Sequence, residues 1–149
     1  MSELMAPTAG INRPLHHTKI AVVLFEELET WQKLNVTAFL ASGIAATAGE
    51  SIGLAYADAD GTEYAPMFGQ PVMVFAASQS RLNRTFDRAL SRGVAPAIFT
   101  SELFGTGDDD ANRAEVAARS RAELDLIGMA VRAERKVVDK IVDGLKLHR

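Results

Sequence analysis

Seven consecutive residues, Lys19 to Phe25, read KIAVVLF. An unbroken apolar run of that length, rich in β-branched residues, is the pattern of a strand covered on both faces, because a half-exposed strand would alternate. Pro71 to Ala76, PVMVFA, has the same character, with Pro71 at the entry where its missing N–H does least harm. Val94 to Thr100 and Leu124 to Arg132 supply two further strand candidates. The intervals between these runs are long enough for helices, and strands alternating with helices make an α/β sheet rather than a bundle or sandwich of sheets. Right-handed crossovers are expected between parallel neighbours.

The helices can be placed from their apolar spacing and their caps. Thr30 is the expected N-cap of a helix over Trp31–Ala48, in which Trp31, Leu34, Ala38, Ala41 and Ala45 follow helical spacing, and Phe39, Leu40 and Ile44 widen the apolar face into that of a buried helix. Ser78 caps a second helix over Ser80–Arg92, with Leu82, Phe86, Ala89 and Leu90 on one face, and Gly93 stops it. Asp108 caps a short helix through Ala118, and a last helix over Glu134–Leu145 carries Val137, Val138, Ile141, Val142 and Leu145, after which the chain relaxes. Between Ile52 and Met67, a turn at Asp58, Asp60 and Gly61 separates segments holding Leu54, Tyr56 and Tyr64, which predicts a small hairpin or flap.

A chain of 149 residues suits one domain, and the absence of cysteine removes disulfides, thiolate metal sites and cysteine nucleophiles. Residues 1–17 mix Pro7, Gly10, Asn12 and Pro14 without period, so a flexible arm is expected before a domain over residues 18–149. His16 and His17 point to opposite sides in an extended segment and lack a nearby carboxylate, so no metal is expected there. No apolar stretch reaches the ~20 residues that span a bilayer and no signal peptide is legible, which places the chain in the cytoplasm. A formal charge of -3 gives no general attraction for nucleic acid.

The stretch TWQKLNVTAFLASGIA at Thr30 to Ala45, QPVMVFAA at Gln70 to Ala77 and DKIVDGLKLHR at Asp139 to Arg149 resemble the domain-of-unknown-function 2000 family, over Thr18 to Arg149. That family is similar in fold to type II peptidyl-tRNA hydrolases. The resemblance implies a three-layer α/β/α sandwich around a mixed, roughly four-stranded sheet with one antiparallel strand, and a homodimer, since related folds dimerise. It also implies that Lys33 occupies the position of an active-site lysine near the start of the first helix. The hydrolases' Asp-Ala-Gly-x-Thr loop is replaced here by Thr100, Ser101, Glu102, Leu103 and Phe104, so the activity does not come across with the fold.

Ligands in open α/β sheets settle beyond the carboxyl ends of the strands, which directs attention to two loops. In the first, Gln32, Lys33, Asn35 and Thr37 gather at the start of an otherwise apolar helix, where the positive dipole end disfavours a lysine by ~0.3–1 kcal/mol. Lys33 is suited to holding an anion or stabilising an oxyanion, with Asn35 orienting a substrate and Thr37 supplying a hydroxyl; pairing with Glu26, Glu27 or Glu29 is the plainer alternative. In the second, Thr100, Ser101 and Glu102 offer hydroxyls and a general base if the Glu102 pKa is raised by enclosure. Asp108 to Asp110 fit a helix cap and its dipole better than a metal site.

Arg81, Arg84, Arg88 and Arg92 form a basic stripe, interrupted by Asp87, that reads as a solvated face. No nucleophile elbow, phosphate loop, dinucleotide fingerprint or zinc spacing occurs, and no cofactor is expected. The residues therefore point to a cleft near Lys33 and Thr100 to Glu102 that takes a small or acyl-bearing ligand. Either it hydrolyses an ester or amide there, or the scaffold is a non-enzymatic binding or interaction module; peptidyl-tRNA is the weaker substrate.

Overall fold

The computed structural model describes residues 16–149; of the arm expected over residues 1–17, residues 1–15 lie outside the described residues. Strand β1 (Thr18–Phe25) leads into helix α1 (Thr30–Thr47), then a hairpin of β2 (Tyr56–Ala57) and β3 (Glu63–Tyr64). Strand β4 (Val72–Ala77), α2 (Gln79–Ser91), β5 (Ala97–Thr100), α3 (Asp109–Ala117), β6 (Leu126–Glu134), α4 (Arg135–Ile141) and β7 (Lys146–Leu147) follow. Among the described residues the result is a mixed α/β structure with four α-helices and a five-stranded sheet ordered β5-β6-β1-β4-β7. Strand β1 runs parallel to β4, and the β1–β6, β5–β6 and β4–β7 pairs are antiparallel.

Burial explains the order. Ala21 to Leu24 are at most 2% exposed, as the unbroken apolar run requires of a central strand. Its side chains alternate between two cores: Ala21 and Val23 join Leu82, Phe86 and Ala89 of α2 with Val138 and Ile141 of α4, whereas Ile20, Val22 and Leu24 meet Val36, Leu40 and Ile44 of α1. One face of the sheet thus carries two helices and the other carries α1.

Glycine decides where α1 sits. A Cβ on Gly128 of β6 would lie 2.7 Å from Val36 Cγ1 and 3.2 Å from Leu40 Cδ1, and one on Gly43 would lie 3.0 Å from the Ala97 Cβ of β5. Bare backbone at these points lets α1 settle closely over β5, β6 and β1. A single helix so placed leaves the β4–β7 side of that face uncovered.

Several sequence expectations are corrected. The N-cap of α1 is Glu29, not Thr30, and α1 is not a buried helix. Only Val36, Leu40 and Ile44 of it are buried, while Trp31, Leu34 and Phe39 are more than half exposed, because the sheet can cover only one stripe of a lone helix. The four expected strands are joined by a fifth, β7, where a relaxed tail was expected; it pairs with Phe75 and Ala76 on the open edge of β4. The last helix stops at Ile141 because Gly144 turns the chain with φ +87°, a left-handed conformation that favours glycine. Strand β5 starts at Ala97, after Pro96, rather than at Val94.

The hairpin forms where expected. Asp58 Oδ1 accepts from the Asp60 and Thr62 N–H groups at 2.9 and 3.0 Å, and the Tyr64 hydroxyl donates to Asp58 Oδ2 at 2.7 Å. Residues 53–67 are all exposed. No described helix is long and apolar enough to cross a membrane.

Candidate functional site

The first turns of α1 are built around Lys33. The Glu29 N–H donates to Gln32 Oε1 at 3.0 Å, so Gln32 closes the helix start, and the Thr37 hydroxyl donates to the Lys33 carbonyl oxygen at 2.7 Å. Among the described residues Lys33 forms no ion pair with Glu26, Glu27 or Glu29. Its ammonium instead lies 3.0 Å from His148 Nε2. With His148 Nδ1 2.7 Å from the Arg149 carbonyl oxygen, the ring donates through Nδ1 and presents the Nε2 lone pair to the lysine.

His148 is held there by main chain. Strand β7 adds to the edge of β4, and the His148 N–H donates to the Val74 carbonyl oxygen at 2.8 Å. Below the Lys33–His148 contact runs a trough of about 660 Å³ with Leu24 and Val74 as its floor and Leu34, Thr37 and Ala38 of α1 as its wall. This is the half of the sheet face that α1 does not cover. Lys33, His148 and Arg149 also border a second hollow of about 530 Å³, where Arg81 and Lys146 face Glu26 at the carboxyl ends of β1 and β4. The combination is an apolar channel with a cationic mouth.

The other anticipated residues lie elsewhere. Asn35 is exposed on the opposite flank of α1 and lines a separate cavity of about 360 Å³. Thr100, Ser101 and Glu102 border neither hollow that Lys33 lines. The Ser101 hydroxyl donates to Asp125 Oδ2 at 2.5 Å, and Thr100 Oγ1 and Glu102 Oε1 are buried without a hydrogen-bond partner. Burial pulls the Glu102 carboxyl up, yet its own backbone N–H, the nearby Thr100 hydroxyl dipole and then the Arg119 guanidinium, 3.8 Å away, together outweigh it and lower the group from its ordinary value. That direction is opposite to the raised value expected of a general base. In the basic stripe, Arg81 and Arg88 donate to the Gly144 and Asp143 carbonyl oxygens at 3.0 and 2.9 Å, tying α2 to the turn before β7.

His148 and Arg149 escaped the sequence reading. They stand 115 and 116 positions beyond Lys33, and only the two-residue strand before them carries them there. The aromatic residues Trp31, Phe39, Phe99 and Phe104 were not read as a group either, although Phe104 lies in the loop singled out.

Comparison with known proteins agrees with the architecture. No curated protein matches the chain. A solved structure of a protein of unknown function from Agrobacterium tumefaciens strain C58 is similar, with 47% identity and a TM-score of 0.88 over 91% of this chain and 100% of the other. The family model described as protein of unknown function (DUF2000) matches residues 18–149, and the chain belongs to that family.

Proposed function

We propose that the chain binds a small ligand with an anionic head and an apolar tail, of the kind an acyl carboxylate presents, along the trough beside α1. The Lys33–His148 contact at the head of an apolar channel carries this reading. Lys33 and Arg149 supply positive charge where a carboxylate would sit, and Leu24, Leu34, Ala38 and Val74 supply a surface for a hydrocarbon chain. Helices on both faces of the sheet support the three-layer shape of type II peptidyl-tRNA hydrolases, in which the lysine at this helix start is part of the active site. In the hydrolytic form of the proposal the Lys33 ammonium turns from His148 to the developing oxyanion of an ester, and the freed Nε2 takes a proton from the water that attacks the carbonyl and returns it to the alkoxide as the ester C–O bond breaks. Thr100 to Phe104 replace the hydrolases' Asp-Ala-Gly-x-Thr loop, which puts binding ahead of hydrolysis and a small ester ahead of peptidyl-tRNA.

Thermal shift and turnover separate the two forms. Octanoate is expected to raise the melting temperature of the wild type, octanol to do so less, and Lys33→Ala to weaken octanoate binding about ten- to a hundredfold, as loss of a hydrogen bond to a charged group would. Turnover of p-nitrophenyl octanoate that disappears in both Lys33→Ala and His148→Ala assigns hydrolysis. Equal binding of octanoate by wild type and Lys33→Ala overturns the site.

A further inference from the structure

Helix α1 has a second flank, and the cavity there differs in chemistry from the trough. Trp31 and Phe39 project from α1, Phe99 from the end of β5 and Phe104 from the turn after it. Their rings form a connected chain, with centroids 5.5 Å apart for Trp31–Phe104, 5.1 Å for Phe99–Phe104 and 5.7 Å for Phe39–Phe99, each pair tilted or edge-on. The Trp31 indole N–H donates to Glu29 Oε1 at 2.7 Å, which fixes that ring although it is more than half exposed. Asp108 and Asp109 complete the wall of this cavity of about 360 Å³, and no lysine or arginine lines it.

We propose that this pocket binds a small organic cation carrying a methylated ammonium group. Aromatic faces attract a cation through their quadrupoles, and several rings around one space do so jointly. The carboxylates set the sign of the ligand. Asp109 and Asp110 share the single guanidinium of Arg113, Asp108 pairs with no cation among the described residues, and a negative excess remains. Asp108 accepts from the Ala111 N–H at 2.7 Å as the cap of α3, through Oδ1 alone. An anion would be repelled by these groups, and a purely hydrocarbon ligand would leave them without a counter-charge. The pocket is independent of the Lys33 trough: it lies across α1, its charge has the opposite sign and the two cavities share no lining residue.

The single tryptophan of the chain sits in this wall, so its fluorescence reports the site directly. Choline titrated at constant ionic strength is expected to change Trp31 emission saturably, and its uncharged isostere 3,3-dimethylbutan-1-ol to change it far less. Phe104→Leu is expected to weaken choline about tenfold, the scale of a lost cation–π contact out of water. Asp108→Asn keeps a good capping side chain and removes the charge, and is expected to weaken choline about threefold with melting temperature unchanged. Superimposable curves for choline and the alcohol, or no saturable response to choline, overturn the proposal; so does full choline affinity in a folded Asp108→Asn protein.

Discussion

Gly128 shows how much a missing side chain can settle. Its Cα hydrogen faces Val36 and Leu40, and a methyl there would require atoms 2.7 Å apart to separate. Gly128→Ala is expected to destabilise the fold by about 1–3 kcal/mol, the range for overpacking a core, as read by urea denaturation. Glu102 gives a prediction in pH. A carboxyl held low in the folded state contributes stability that is present above its unfolded value and lost as pH falls through the folded one. Glu102→Gln should therefore cost more at pH 7 than at pH 3, and urea midpoints at both check it. At this scale the sequence was partly legible. Lys33 stood out because a cation at a helix start opposes the dipole, but nothing local to His148 distinguishes it from any histidine on a tail. The direction at Glu102 was not legible because it depends on how the loop turns its own backbone N–H and the Thr100 hydroxyl toward the carboxyl, with Arg119 adding to them from outside the loop.

Elements were legible where a period could be counted. Strand β1, helix α2 with its Ser78 cap, and the Asp108 cap of α3 all follow their spacing, because each repeats a pattern over several residues. Strand β7 has two residues and therefore no period; main-chain bonding to β4 defines it, and a side-chain pattern cannot record that. Its approach depends on Gly144, and Gly144→Ala should cost about 1–2 kcal/mol, the penalty for an L side chain in the left-handed region. The same variant should weaken octanoate in thermal shift, since the turn before His148 is displaced. Helix α1 was misread for a related reason: its apolar residues surround it, and composition cannot say which stripe meets the sheet. Val36, Leu40 and Ile44 do so because Gly128 and Gly43 admit them.

For the whole molecule, the α/β class followed from alternating runs, whereas which half of the sheet would stay uncovered depended on contacts between distant segments. The hairpin stands apart from both cores: Leu54 is 90% exposed, and Tyr56, Tyr64 and Met67 are each more than half exposed. Leu54→Asp is therefore expected to leave the urea midpoint nearly unchanged, since that side chain already faces water. Lys33 and His148 meet across 115 positions of sequence. During synthesis, then, the cationic mouth of the trough stays incomplete until β4 is in place and β7 has left the ribosome to join it. A nascent chain halted before Lys146 would hold most of the sheet and still lack the imidazole half of the proposed ligand site, so octanoate binding would mark when β7 has joined β4.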